Sequence, residues 1–589
     1  MPMESVQASL DPALDGPETA DLDFHLRLPL LWGVVALVAG AVRLALIDRA
    51  PLSPSEVGFA WSAFQAVQGS SAASLVETGS PLLTHFTALM FWLFGASDVA
   101  ARLFAALAGT SLALTPALLT RTLGWKSSVI AGVLIAICPI AVQLSRVADP
   151  SIASALIAMV VVASSLRFFS DRPWWAPWTL AAGIGLALSH DGGAVIALAT
   201  AAVAALLTWS NDFRGLLSRA IGQISPPAER PATEDPQMPR TDALGPATFG
   251  IGIALIASTG ALMDLRGVGF VLGDVWGNAL GLLRPAPFPT RNLASLLAYA
   301  GPLLVLASWG AVVGMRRQER LVLFLSQWTL LLLLMAATFG QFTPLFAILP
   351  ISPAALLAAM MLGRLNFGDS SRTISGATPG VLSVTFVGLG IVGLAVAQAV
   401  GATQPSMVAT VAAIVGVVLL IPACWRQYVP ATERSFALLL LGILSFAMFS
   451  AGSIGRLSFG GSPPGAELLT REETRSDLRD AIKDLTLLSR ADSGRVLFIE
   501  DGTPLLVRWY GRGIRHVDAG SAPEVDVFTV RETTQRAGSS LTGRSAGTPF
   551  VTTSQLDRTE LTPLAVARWV VSRAALVKGQ PRDIVIAAR

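Results

Sequence analysis

Ionisable side chains are costly inside an apolar membrane region, so each one found there is a candidate for function. In this chain of 589 residues they fall in a few short stretches. Glu56 lies in LSPSEVGFAW, His85 in GSPLLTHF and Arg102 in DVAARLF. Ser145, Arg146 and Asp149 share LSRVADPS, and His190 and Asp191 share LSHDGG. Arg43 lies near the end of the first apolar run. Carboxylates of this kind can take a proton, and Arg or His beside them can balance the charge that develops. The four histidines form no clustered motif, and the only two cysteines, Cys138 and Cys424, make no CxxC pair and no disulfide framework. No dedicated zinc site is expected.

Each candidate also has an ordinary structural explanation. Ser53-Pro54-Ser55-Glu56 reads as a capping box with proline at the first helical position. Asp149-Pro150 reads as a cap opening a helix, and Asp191 as the cap of another. His85 and His190 would sit at headgroup level, and Arg43 and Arg102 would snorkel to the interface.

The elements that must position these residues follow from composition. The AVILMFWYC class makes up 53 % of the chain and charged residues 14 %, where a soluble domain has about 25 % charged. That excludes a soluble multidomain enzyme, a disordered chain and a nucleic-acid binder. A net charge of +3 gives no basic patch for a polyanionic partner. After Arg456 the charged share rises to about a quarter, the soluble value. The sequence therefore predicts an all-α polytopic membrane region with a small soluble α/β domain behind it.

A span needs about 20 apolar residues. Runs of that kind lie at 29–47, 100–120, 128–145, 151–169, 175–189, 191–209, 246–264, 293–314, 321–338, 342–362, 379–400, 406–424 and 436–453, about thirteen spans. Segment 82–94 is shorter and reads as interfacial or re-entrant. Residues 1–28 read as a disordered acidic tail with no signal peptide. Residues 29–453 form the membrane domain, with an outer loop at 48–99 and a Pro-rich linker at 210–245. Residues 454–589 form the second domain. With the N-terminus inside, loops bearing Arg121, Lys126, Arg316, Arg317 and Arg320 are cytoplasmic, whereas the outer loops hold only Arg49, Arg146, Arg266, Arg284 and Arg291. The candidate residues and the C-terminal domain then share the extracytoplasmic side of a multi-pass cell-membrane protein. In that domain 468–488, 504–511 and 563–576 read as helices, and 496–500, 525–530 and 583–588 as strands.

Three stretches, AVRLALIDRAPLSPSE (41–56), GSPLLTHFTALMFWLFGASDVAARLFAALAG (79–109) and LSRVADPSIASALI (144–157), carry a family resemblance. They resemble the GT-C membrane glycosyltransferases, such as protein mannosyltransferases and lipid A aminoarabinose transferases. GTPLLVRWYGRGIRHVDA (502–519) and RWVVSRAALVKGQPRDIVIAAR (568–589) are similar to the tail of the flippase-activity-associated glycosyltransferase-like proteins within that group. Arg43, Glu56, Pro81, Arg102, Ser145, Arg146 and Asp149 match the family's pattern. Ser55 stands where the family has its first carboxylate, one residue before Glu56.

The resemblance implies inverting transfer of a sugar from a polyprenyl-phosphate donor to a hydroxyl of a lipid, glycan or protein acceptor. Glu56 or Asp149 would take the acceptor proton. Arg102, Arg146 or a divalent cation (Mg²⁺ or Mn²⁺, held by Asp149) would meet the departing phosphate. His85, His190, Asp191 and Arg43 would line the substrate site. With Ser55 at the acidic position, a non-catalytic scaffold or accessory protein in polysaccharide or glycolipid export is the alternative. A transporter is a third reading, and it would need paired broken helices, which the sequence does not display.

Overall fold

The computed structural model describes residues 17–69, 79–170, 173–222 and, with short gaps, 244–363. Beyond these it describes parts of 447–459 and 469–482, residues 505–512, and the strands 528–533, 548–552 and 580–588. Among the described residues, 6 helices are long and apolar enough to cross a bilayer, or up to 7 if one broken pair counts as a span. Leu37, Trp92, Leu272 and Leu280 are 70–75 % exposed, apolar surface of the kind that lipid covers.

Helix α1 (Pro17–Leu44) starts well ahead of residue 29. Proline at the first helical position and acids in the opening turns favour that start over a coil. The capping box opens α2 (Pro54–Val67) as expected, with both of its hydrogen bonds present. Helix α3 (Pro81–Phe94) is a 14-residue apolar helix, too short to cross alone. Helix α4 (Asp98–Leu114) runs on through short turns to Leu123. The run expected as one span at 128–145 is two helices, α5 (Trp125–Ala136) and α6 (Pro139–Ser145), bent by 59°. Pro139 has no amide to continue the ladder, so the helix breaks there.

Helix α7 (Ser151–Ser170) follows its expected span, whereas α8 (Ala176–His190), over the run expected as a span at 175–189, has 15 residues and is not among the 6 helices long enough to cross. Helix α9 (Gly192–Gly222) continues past residue 210 with a kink at Trp209, into the stretch expected as linker. Helix α10 (Leu244–Thr259) packs along α8. Three more helices complete the described bundle: α11 (Val275–Leu282), α12 (Arg291–Arg316) and α13 (Arg320–Thr338), with α14 (Ile351–Gly363) closing it. The spans expected at 379–400 and 406–424, and most of 436–453, lie outside the described residues.

The C-terminal part contributes helix α15 (Leu505–Tyr510) and an antiparallel sheet of β1 (Glu472–Glu473), β2 (Phe528–Thr533), β3 (Thr548–Thr552) and β4 (Gln580–Ala588), in the order β1-β3-β4-β2. Helix α15, β2 and β4 overlap elements read from sequence. Strand β3 does not, and β1 falls at the start of a stretch read as helix. The strand at 496–500 and the helix at 563–576 lie outside the described residues.

There are two main cores. One joins α4–α7 with α12–α14 across the bundle. The other is built from Leu52, Val57, Ala60, Phe91, Ala100 and Ala101 with Leu506, Val507 and Trp509 of α15. The C-terminal segment is thus part of the same packed unit as α2–α4. On α4, Gly109 faces Ser145 and the guanidinium of Arg43 so closely that a methyl group would collide with both. Gly109→Ala is expected to lower stability by about 1–3 kcal/mol, read as a fall in the thermal unfolding midpoint in detergent.

Candidate functional site

Three arginines organise the end of the bundle where α1, α4 and α6 meet. A helix leaves its last carbonyls without partners, and two of these arginines satisfy them. Arg146 donates to the carbonyls of Val42 (2.9 Å), Arg43 (3.1 Å), Ala45 (2.6 Å) and Leu46 (3.0 Å) at the end of α1. Its guanidinium also lies 4.5 Å from the Phe459 ring centre. Arg43 donates to the carbonyls of Ile135 (3.4 Å) and Ala136 (3.0 Å) at the end of α5, to that of Ala39 (3.0 Å), and to Ser145 Oγ (3.1 Å).

Arg102 holds the loop after α1. It donates to the carbonyls of Ile47 (2.8 Å), Ala50 (2.7 Å) and Pro51 (3.0 Å), and its fork pairs with both oxygens of Glu56 at 2.7 and 2.9 Å. All five of its N–H donors are used. Glu56 is equally occupied, since Oε2 accepts the Ser53 amide (2.8 Å) and Oε1 the Ala148 amide (2.8 Å). The pair is sealed, with Glu56 2 % and Arg102 3 % exposed. Burial pushes the Glu56 carboxyl upward, but the Arg102 charge and the hydrogen bonds from Arg102, Ser53 and Ala148 outweigh it and hold the carboxyl below the ordinary range.

Asp149 is the next residue after that Ala148 amide, so the two acids named from the sequence lie in one neighbourhood. They differ in kind. Asp149 is partly exposed. Its Oδ1 accepts the Ser151 amide at 2.8 Å, the expected cap on α7, and among the described residues no cation pairs with it. Burial raises its carboxyl pKa; hydrogen bonds from Ser151 oppose this, while the charges of Asp191 and Glu56 add to it. A carboxyl so placed has raised proton affinity, as a general base needs.

His190 and Asp191 stand beside it. His190 Nε2 lies 2.8 Å from the Pro150 carbonyl and Nδ1 3.1 Å from Ser80 Oγ. A carbonyl only accepts, so Nε2 carries a proton and donates to Pro150. Asp191 Oδ1 accepts from Ser154 Oγ (2.7 Å) and caps α9 through the Ala194 amide (3.0 Å). His85 is set apart, with Nδ1 3.2 Å from the Ala257 carbonyl of α10 and Nε2 buried with no hydrogen-bond partner among the described residues.

The arrangement thus brings Arg43, Glu56, Arg102 and Arg146 into one hydrogen-bonded frame and sets the partly exposed Asp149 at its edge, with Asp191 and His190 beside it. Snorkelling does not describe Arg43 or Arg102, since both are buried against backbone carbonyls. His190 is fully buried within the protein. Sequence reasoning missed Asp98, Trp509 and Tyr510. Trp509 Nε1 and Tyr510 Oη donate to the two oxygens of Asp98 at 2.9 and 3.0 Å, and nothing local in the sequence connects residues so far apart.

Residues 78–222 match the family described as dolichyl-phosphate-mannose-protein mannosyltransferase. That stretch carries His85, Arg102, Arg146, Asp149, His190 and Asp191. Over nearly its whole length the chain superposes on ArnT from Cupriavidus metallidurans in the apo state, with 15 % identity, a TM-score of 0.53, and coverage of 95 % of this chain and 97 % of that one. The fold is that of the GT-C membrane glycosyltransferases. The same ArnT bound to undecaprenyl phosphate gives a TM-score of 0.52 at 15 % identity with the same coverage. The Archaeoglobus fulgidus oligosaccharyltransferase is more distant, with 12 % identity, a TM-score of 0.45, and coverage of 86 % of this chain and 69 % of that one. No curated protein matches in sequence. The chain is a multi-pass membrane protein with the GT-C fold.

Proposed function

We propose that this chain transfers a sugar from a polyprenyl-phosphate-linked donor to an acceptor hydroxyl, on the extracytoplasmic side, with Asp149 as general base. The observation that carries the reading is the contrast between the two acids. Glu56 is locked by four hydrogen bonds, whereas Asp149 is partly exposed, has no cation beside it among the described residues and is raised in proton affinity. In the step, the acceptor O–H proton passes to the Asp149 carboxylate and the acceptor oxygen bonds to the anomeric carbon. The bond from that carbon to the phosphate oxygen breaks, with inversion, and the lipid phosphate leaves. A neighbour that holds undecaprenyl phosphate supports a lipid phosphate as the leaving group. The acceptor is a lipid, glycan or protein hydroxyl.

Arg43, Arg102 and Arg146 are positioning residues in this proposal, because their donors are directed at backbone carbonyls and Glu56. His190 fixes Pro150 and thereby the residue before it; Asp191 raises the proton affinity of Asp149. His85 remains a substrate-binding proposal. A divalent cation (Mg²⁺ or Mn²⁺) is a separate reading, in which Asp149 would hold the ion beside the departing phosphate instead of taking the proton. Among the described residues no group of three or more His, Cys, Asp or Glu side chains supports it.

One observation favours the alternative of a non-catalytic GT-C scaffold. Ser55, at the family's acidic position, is exposed and only shares a hydrogen bond with Ser53. Turnover in proteoliposomes against a panel of polyprenyl-phosphate sugars decides between the two. The enzyme reading expects release of polyprenyl phosphate with at least one donor, and chelation with EDTA is expected to slow it at least tenfold if the phosphate is met by a cation. No turnover with any donor would leave the scaffold.

A further inference from the structure

The GT-C bundle and the C-terminal segment are joined by more than apolar packing. Trp509 is fully buried, stacked 5.5 Å from Phe91, and the next residue enters a polar network. Tyr510 Oη accepts the Leu52 amide at 2.8 Å and donates to Asp98 at 3.0 Å. Its single proton and an acceptor site are both committed. Leu52 follows Pro51, whose carbonyl is held by Arg102. Arg102 pairs with Glu56, and Glu56 accepts the amide of Ala148, next to Asp149.

We infer that Tyr510 is a positioning residue for Asp149, acting through the loop 47–56 and the Arg102–Glu56 pair. This deepens the proposed reaction and rests on Asp149 being its base. The physical argument is continuity. Every link from the Tyr510 hydroxyl to the Ala148 amide is a hydrogen bond or a peptide unit, and Glu56, Arg102 and Leu52 are buried where water cannot replace a lost partner. Contact with the bundle alone would need none of this. Arg512 supplies the comparison: it donates to the Ala96 carbonyl at 2.6 Å and lies 4.0 Å from the Trp509 ring centre, so it fastens the same segment without touching the loop.

The test compares Tyr510→Phe with Arg512→Ala by amide hydrogen exchange and by transfer kinetics in nanodiscs. Tyr510→Phe is expected to speed exchange about tenfold at Leu52, to speed it at Ala148 as well, and to lower kcat about tenfold while KM for the lipid donor stays put. Arg512→Ala is expected to leave Ala148 exchange and kcat at wild-type values. The inference is overturned if Tyr510→Phe changes Leu52 alone, or if Arg512→Ala produces the same loss, since either outcome makes the segment an anchor only. Exchange is read without turnover. If the wild type transfers nothing, the proposed reaction fails while Ala148 still reports on the network.

Discussion

Asp149→Asn is expected to cut the rate of sugar transfer by about 10²–10⁴-fold and to leave the unfolding midpoint unchanged or slightly raised. The reasoning separates the two jobs of this residue. As a cap it needs only an oxygen accepting from the Ser151 amide, and asparagine supplies one. As a base it needs a carboxylate, and asparagine has none. Its carboxylate is partly buried near Asp191 and Glu56, so removing the charge also relieves repulsion. Parallel measurement of transfer in proteoliposomes and thermal unfolding in detergent checks both halves. A variant that transferred at the wild-type rate would remove Asp149 from the chemistry.

Glu56→Gln should behave in the opposite way, with stability lost first and activity lost as a consequence. The change leaves Arg102 charged and buried with no partner charge, which costs about 3–5 kcal/mol. Arg102→Met should cost a similar amount, and it would also strip donors from the carbonyls of Ile47, Ala50 and Pro51. A double Glu56→Met/Arg102→Met variant is expected to recover only part of the loss, because those carbonyls remain unpaired. The pH dependence follows from the lowered Glu56 pKa. A depressed carboxyl stabilises the fold at neutral pH, and that stabilisation is lost as pH falls through its folded value, below the ordinary carboxylate range. Chemical or thermal unfolding across that range, wild type against Glu56→Gln, should show a larger acid loss in the wild type.

Much of this was written in the sequence, and what was hidden has a physical reason. Hydropathy marked the described spans because burying or facing lipid leaves a compositional trace. The capping box at Ser53 and the caps at Asp149 and Asp191 were legible because caps are local, made between residues a few positions apart. The roles of the arginines were not. Arg102 and Arg146 could be read as partners for a phosphate, yet their actual partners include backbone carbonyls of residues 42–51, and a carbonyl is the same at every position in a sequence. The break in the run 128–145 had its signal in Pro139, which the hydropathy of the run concealed. The Asp98–Tyr510 contact joins residues from opposite ends of the chain, and no periodicity or spacing encodes such a pair.

The central claim is that Asp149, and not Glu56, receives the acceptor proton. The pH dependence of kcat for wild-type protein in proteoliposomes tests it most directly. A base must be deprotonated to act, so activity falls as pH drops through its pKa. With Asp149 raised and Glu56 lowered, the account predicts an acid limb above the ordinary aspartate range. An acid limb below that range, where Glu56 titrates, would contradict it.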